Sequence, residues 1–174
     1  MLKENLTNAL SKQFNFELYS AYIYLAMSAY CDRNGLKGFA NWLNVQAQEE
    51  LAHATHMYEY ILERGAYPVF EDVKKSPYNF ENIIEVFEKT LAHEQIVTGK
   101  INDIASLALK ENDHAAYIFI QWYVNEQVEE EANAEQILQQ AKQIGTNTAL
   151  LYALDKELAA RVFVNPFPAK TAAN

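Results

Sequence analysis

"NEQVEEEANAE", residues 125–135, sets four glutamates into six positions directly after the aromatic run "YIFIQWY", residues 117–123. Like charges four residues apart destabilise a helix, so the run requires a physical reason. Helical positions advance by about 100° each, which sorts the acids by face. Glu126 and Glu130 fall within about 60° of Phe119, Trp122, Ile137 and Ala141, the natural apolar stripe, whereas Glu131 and Glu135 point to the opposite, solvent side. The stretch is therefore a helix that carries carboxylates in core phase.

Working outward, glycine and proline are scarce and cluster at "CDRNGLKG", "RGAYP", "KKSPYN", "KENDH", "QIGTN" and "NPFP". Between these breaks run long segments rich in Ala, Leu, Glu, Gln and Tyr, with no strand-like alternation. The pattern predicts an all-α chain with four long helices at about 4–32, 37–64, 81–110 and 114–143, a short one at about 148–162, and a tail over 163–174. Gly65 and Gly145 sit where helix C-termini favour a left-handed residue, and Asn112/Asp113 and Thr146/Asn147 can cap the helices that follow. Short turns near Gly35 and Asn112 make the first two and the last two long helices antiparallel hairpins. Residues 65–80 are too many for a tight turn and long enough to run the length of a bundle. The expected fold is a four-helix bundle with one long crossover between helices 2 and 3 and a short fifth helix, within a single domain over 1–174.

Each of the other long helices also carries a glutamate in core phase. Glu17 is in phase with Leu10, Ala21 and Tyr24; Glu50 with Phe39, Leu43, Met57 and Ile61; Glu94 with Ile83, Phe87, Ile101 and Ala105. His53 follows Glu50 by one turn on the same side. Heights agree as well. Counted from a turn at about residue 34, Glu17 lies about 17 positions before it and Glu50 about 16 after it. Counted from Asn112, Glu94 and Glu130 are each 18 positions away. Four glutamates and a histidine thus converge on one slab of the core.

Buried carboxylates cost several kcal/mol each in desolvation, and like charge at close range adds to the cost. No lysine or arginine occupies the matching core phase and height. Either the carboxyls hold protons, as in a metal-free interaction bundle, or they hold cations. Glutamate oxygens with one imidazole suit iron, manganese or zinc better than calcium or magnesium. His56, His93 and His114 lack comparable support and read as surface or helix-end residues; Trp122 and Tyr24 read as core aromatics beside the slab.

Composition narrows the classes further. Half of the 174 residues are apolar and the net charge is −9, with no lysine or arginine block, which argues against nucleic acid or an anionic membrane as partner. The single cysteine, Cys31, excludes an internal disulfide. "MLKENLTNAL" has no long apolar core or cleavage site, and no stretch of about 18 uncharged apolar residues occurs, so a soluble cytoplasmic protein is expected.

On these residues the sequence resembles a ferritin, specifically a non-haem ferritin of the bacterial or archaeal kind. The likeness is carried by "NFELYSAYIYLAMSAY" (15–30), "GFANWLNVQAQEELAHA" (38–54), "LAHEQIVTGKIN" (91–102), "FIQWYVNEQVEEE" (119–131) and "LYALDKEL" (151–158). The resemblance implies one iron site from Glu17, Glu50 and His53, a second from Glu94 and Glu130 with Glu50 bridging, and Gln127 near the second iron. Tyr24 matches a tyrosine that the family keeps beside the centre. The resemblance further implies a third iron site made by Glu49, Glu126, Glu129 and Glu130.

Departures from relatives matter too. Bacterioferritins and rubrerythrins place a second E-x-x-H in the fourth helix, where this chain has Gln127, Val128, Glu129 and Glu130, which implies a second iron that leaves more easily and suits storage. The haem-ligating methionine of bacterioferritins would fall near Leu51 and is absent, so no haem is expected. The implied function is a ferroxidase that oxidises Fe²⁺ with O₂ or H₂O₂ and stores the ferric product as mineral inside a homo-oligomeric shell of twenty-four subunits. A peroxide-reducing di-iron enzyme that stores nothing is the nearest rival.

Overall fold

The computed structural model describes residues 1–77 and 79–167, and among these residues the regular elements are five α-helices. They are α1 (Glu4–Arg33), α2 (Lys37–Glu63), α3 (Ile83–Lys110), α4 (His114–Ile144) and α5 (Thr148–Leu158). Side-chain caps start three of them. Asn82 accepts from the Glu85 amide, Asp113 from Ala116, and Asn147 from Ala149 and Leu150. Gly65, at φ +70°, supplies the left-handed residue that lets the chain leave α2.

α1 packs against α2 and α3 against α4 as antiparallel hairpins. Phe87, near the start of α3, packs on Phe39 and Trp42, near the start of α2, so those two helices run in the same direction. The crossover that permits this lies along α1. Asn15 donates to the Val69 carbonyl and accepts from the Glu71 amide, while the Ser11 hydroxyl accepts from the Val69 amide. These bonds satisfy backbone groups that a long connection would otherwise leave unpaired.

The apolar interior is split in two. One cluster, around Met27, Phe39, Leu43 and Phe87, lies at the α5 end of the bundle; the other, around Leu10, Met57, Ile101 and Ile120, fills the opposite end. Between them, Gln13, Glu17, Gln46, Glu50, His53, Glu94, Gln127 and Glu130 are all buried. The bundle is hydrophobic at both ends and polar at its middle.

Two expectations need correcting. The core stripe of α4 runs through Ile120, Tyr123, Gln127, Glu130, Ala134, Ile137 and Ala141, alternating steps of three and four, so Tyr123 is the buried aromatic while Phe119 and Trp122 are half-exposed. That rotation leaves Glu126 at the edge of the stripe. His93 is not a surface residue: it is buried, hydrogen-bonded to Ser20 at 2.7 Å and stacked on Phe16, and burial lowers its pKa to about 4. The ring is thus a neutral core group that meets the edge of Tyr24.

α5 ends at Leu158 rather than near 162 and is fixed to the start of α2. The Asp155 carboxylate accepts from the Gly38 and Phe39 amides at 2.8 and 3.0 Å, two donors that the first turn of α2 cannot satisfy itself. An anion at a helix N-terminus also complements the helix dipole. The approach requires glycine, because a Cβ on Gly38 would lie 1.5 Å from the Asp155 carbonyl oxygen. Beyond α5 the chain returns over α2 and α4, where Phe167 stacks on His56 at 3.7 Å and meets Trp122 at 4.4 Å.

Candidate metal centre

The middle slab takes one carboxylate from each long helix: Glu17 from α1, Glu50 from α2, Glu94 from α3 and Glu130 from α4. His53, one turn after Glu50, adds the imidazole. Ligand atoms of Glu17, Glu50 and His53 all lie within 4.8 Å of one another, and all three residues are buried. Glu50 also sits close enough to Glu94 and Glu130 for their charges to raise its pKa, so it stands between the two halves of the cluster.

Each carboxylate is met by a neutral donor. Gln13 donates to Glu17 at 2.8 Å, Gln46 to Glu130 at 2.7 Å, and Gln127 to Glu94 at 3.0 Å, where the Tyr24 hydroxyl also donates. His53 Nδ1 faces Glu50 at 3.5 Å. These contacts orient the ligands but do not neutralise them. Glu17 Oε2 and His53 Nε2 are buried and have no hydrogen-bond partner, and both belong to the three-residue cluster. Orphaned polar atoms are rare in protein interiors, and two of them within one buried cluster that includes a further carboxylate mark a candidate cation site.

The electrostatics agree. Burial, then the Glu50 charge, holds Glu17 well above the usual carboxylate range; burial, then Glu94 and Glu130, does the same for Glu50. Glu94 is raised by burial, and Glu130 is pushed up to about 8 by burial and then by Glu94. Without a metal, part of the cluster therefore holds protons at neutral pH. An acid raised in the folded state keeps a proton that the unfolded chain has lost, so apo-protein stability should fall as pH rises from about 4.5 through about 8. Metal ligation needs the deprotonated forms. We expect Zn²⁺ binding at pH 7 to release protons and to tighten up to about pH 8; calorimetry in two buffers of different ionisation enthalpy would check this, and buffer-independent heats would contradict it.

The residues expected to form a third site are less gathered. Glu130 is buried, Glu49 and Glu126 are half-buried, and Glu129 is exposed. Burial raises both Glu49 and Glu126. Arg161, three residues beyond α5 and outside every core stripe, reaches the edge of this region: it donates to Glu49 at 2.5 Å and to Gln46 at 2.9 Å. Sequence phase within a helix says nothing about a residue outside it. Gln46 was overlooked although it was findable, since it lies one turn before Glu50 in the same stripe. Tyr123 was also missed; its hydroxyl donates to the His53 carbonyl and meets His56. Glu131, assigned to solvent, is half-buried and accepts from Thr98, whereas Glu135 and His114 are exposed. A cavity of about 800 Å³ lies between α2 and residues 163–167, away from the carboxylates.

Residues 7–144 match the ferritin-like domain. The chain belongs to the ferritin family. It is 42% identical over 163 residues to a bacterial non-haem ferritin of Staphylococcus saprophyticus, covering 94% of this chain and 98% of the relative. The corresponding protein of Staphylococcus aureus is 40% identical with the same coverage. Among solved structures, an open-pore ferritin from the archaeon Archaeoglobus fulgidus superposes with a TM-score of 0.92 at 44% identity, covering 93% of this chain and 99% of that one. A form of the A. fulgidus ferritin engineered to be closed gives 0.93 at 44% identity, with 94% and 100% coverage. As a ferritin, the chain is an iron-storage protein. None of its helices, among the described residues, is long and apolar enough to cross a membrane.

Proposed function

We propose that this ferritin is a ferroxidase, with Fe²⁺ as its substrate and Glu17, Glu50, His53, Glu94 and Glu130 as the groups that bind it. The observation that carries the reading is the buried cluster of Glu17, Glu50 and His53, whose ligand atoms lie within 4.8 Å of one another at the polar middle of the bundle, with Glu17 Oε2 and His53 Nε2 lacking hydrogen-bond partners. Glu17, Glu50 and His53 hold one ion; Glu94 and Glu130 hold the second, with Glu50 between them and Gln127 alongside. Two ions side by side each give up one electron. O₂ takes both with two protons to become H₂O₂, or H₂O₂ takes both with two protons to become two waters. A bridging carboxylate suits this because it keeps two ions at the few-ångström separation that a two-electron acceptor spans.

The residues around the ligands set the rest. Hard carboxylate oxygens stabilise Fe³⁺ over Fe²⁺, so the ligand set favours oxidation. The Tyr24 hydroxyl and the Gln127 amide hold Glu94 in place, and Gln13 holds Glu17. Gln127 in place of a second histidine leaves the second ion with weaker donors and a readier exit. Glu49, Glu126, Glu129 and Glu130 form a third station from which Fe³⁺ passes to mineral inside a shell of twenty-four copies. Glu129→Ala should alter the number of irons bound and the turnover more than the first oxidation. Anaerobic Fe²⁺ titration checks this, and an unchanged count of bound iron would refute a third site there.

A further inference from the structure

We propose that Arg161 is a tethered counter-cation of the third iron station, seated on Glu49 until a metal ion displaces it. The inference rests on the third-station reading above and concerns how that station is emptied and filled. Its structural basis is the way the segment after α5 is held. Asp155 locks α5 to the start of α2, and Asn41 donates to the Arg161 carbonyl at 2.8 Å, so the backbone of Arg161 is fixed beside α2. The guanidinium lies over the Trp42 ring at 4.4 Å and donates to the Trp42 carbonyl, Gln46 Oε1 and Glu49 Oε2. Its acceptors are thus spaced one turn apart along α2, on the side where Glu126 and Glu130 approach from α4.

A guanidinium does not lose its proton in a protein, so it leaves Glu49 only by moving away. It carries one positive charge, whereas an iron ion carries two or three and coordinates carboxylate oxygens directly. Iron therefore wins the exchange, but its affinity is lowered by the work of breaking a fork of charge-assisted bonds. When iron departs, the tethered side chain returns, and Glu49 is not left as an uncompensated, half-buried charge. The device makes the third station weaker than the paired sites, as a transfer point requires.

The same contact reaches the paired sites. By accepting from Arg161, Gln46 Oε1 is fixed, which directs its Nε2 toward Glu130 at 2.7 Å and Glu50 at 3.4 Å. Displacing Arg161 releases that amide. Filling the third station is thereby linked to the hydrogen bonding of two ligands of the pair.

The test uses Zn²⁺, which is redox-inert, titrated calorimetrically into the assembled apo-protein. In Arg161→Gln the third equivalent should bind roughly tenfold tighter than in the wild type, with a smaller change in the first two, whose ligands Glu130 and Glu50 meet a Gln46 amide that Arg161 no longer fixes. Arg161→Lys keeps a tethered charge without the fork and should fall between. A third equivalent that appears only in Arg161→Gln also supports the inference. Equal or weaker third-equivalent affinity in Arg161→Gln overturns it while leaving the third station intact. Two equivalents in every variant removes the third station itself and this inference with it. A wild-type crystal soaked in Zn²⁺ supplies a readout that needs no variant: metal on Glu49 with Arg161 swung away supports the exchange, and metal there with the Arg161–Glu49 contact intact refutes it.

Discussion

Glu50→Ala and His53→Ala should each slow aerobic Fe²⁺ oxidation by roughly a hundredfold or more while the shell still assembles. Glu50 faces Glu17, Glu94 and Glu130 at once, so its loss weakens both ion positions together, and His53 supplies the cluster's only imidazole. Assembly is spared because neither side chain reaches the surface. Stability should move the opposite way from activity. Glu50 is buried among other acids with a pKa held well above the ordinary range, so the isosteric Glu50→Gln removes a costly group without opening a cavity. The apo form of that variant should melt above wild-type apo-protein at neutral pH, and the advantage should vanish when both are loaded with Zn²⁺. Stopped-flow absorbance and thermal melts check the two halves. Native oxidation rates in either alanine variant would place the centre elsewhere.

Gly38→Ala should cost about 3 kcal/mol and lower the melting temperature by about 10 °C. The obstruction is backbone against backbone: the added methyl would lie 1.5 Å from the Asp155 carbonyl oxygen and 2.4 Å from its carbon. No rotamer relieves that contact, so α5 must shift off the start of α2. The shift would break the Asp155 cap on the Gly38 and Phe39 amides and carry Arg161 away from Glu49. Limited proteolysis should then cut within 148–167 first, ahead of the four long helices. An unchanged melting temperature would show that α5 docks by other contacts.

The four-helix architecture was legible in the sequence because long helices announce themselves by period and by the glycine and proline that end them. The buried carboxylates were legible for the same reason: phase within a helix is fixed by 3.6 residues per turn, and equal distance from a short turn fixes height. Glu17, Glu50, His53, Glu94 and Glu130 needed nothing more to be brought to one slab. Errors arose where that logic has no purchase. A phase error of one residue exchanged Trp122 for Tyr123, because an aromatic run offers apolar side chains on adjacent faces. His93 looked superficial since its partner, Ser20, comes from another helix and is invisible to periodicity. Arg161 lies beyond the last helix, and only the docking of α5 through Asp155 and Gly38 brings it to Glu49.

Placing a carboxylate slab between two apolar clusters trades stability for binding. Each raised pKa marks a group that would be better solvated elsewhere, and the neutral donors Gln13, Gln46 and Gln127 orient the acids without cancelling their charge. Cations complete the balance. The folded protein is therefore expected to gain most from metal toward and above about pH 8, where its carboxyls no longer hold protons and repel one another.

On the proposed reading these carboxylates hold Fe²⁺ while O₂ or H₂O₂ oxidises it, and the ferric product passes on to storage. The most direct measurement adds Fe²⁺ aerobically in portions to purified apo-protein, follows near-ultraviolet ferric absorbance, and sizes the product. Oxidation far faster than in buffer, continuing well past the two or three irons that the ligands of one subunit can hold, with the ferric iron co-eluting with an assembled shell, is the predicted result. Oxidation no faster than buffer would contradict the ferroxidase reading, and oxidation that stops at two or three irons per subunit would contradict storage.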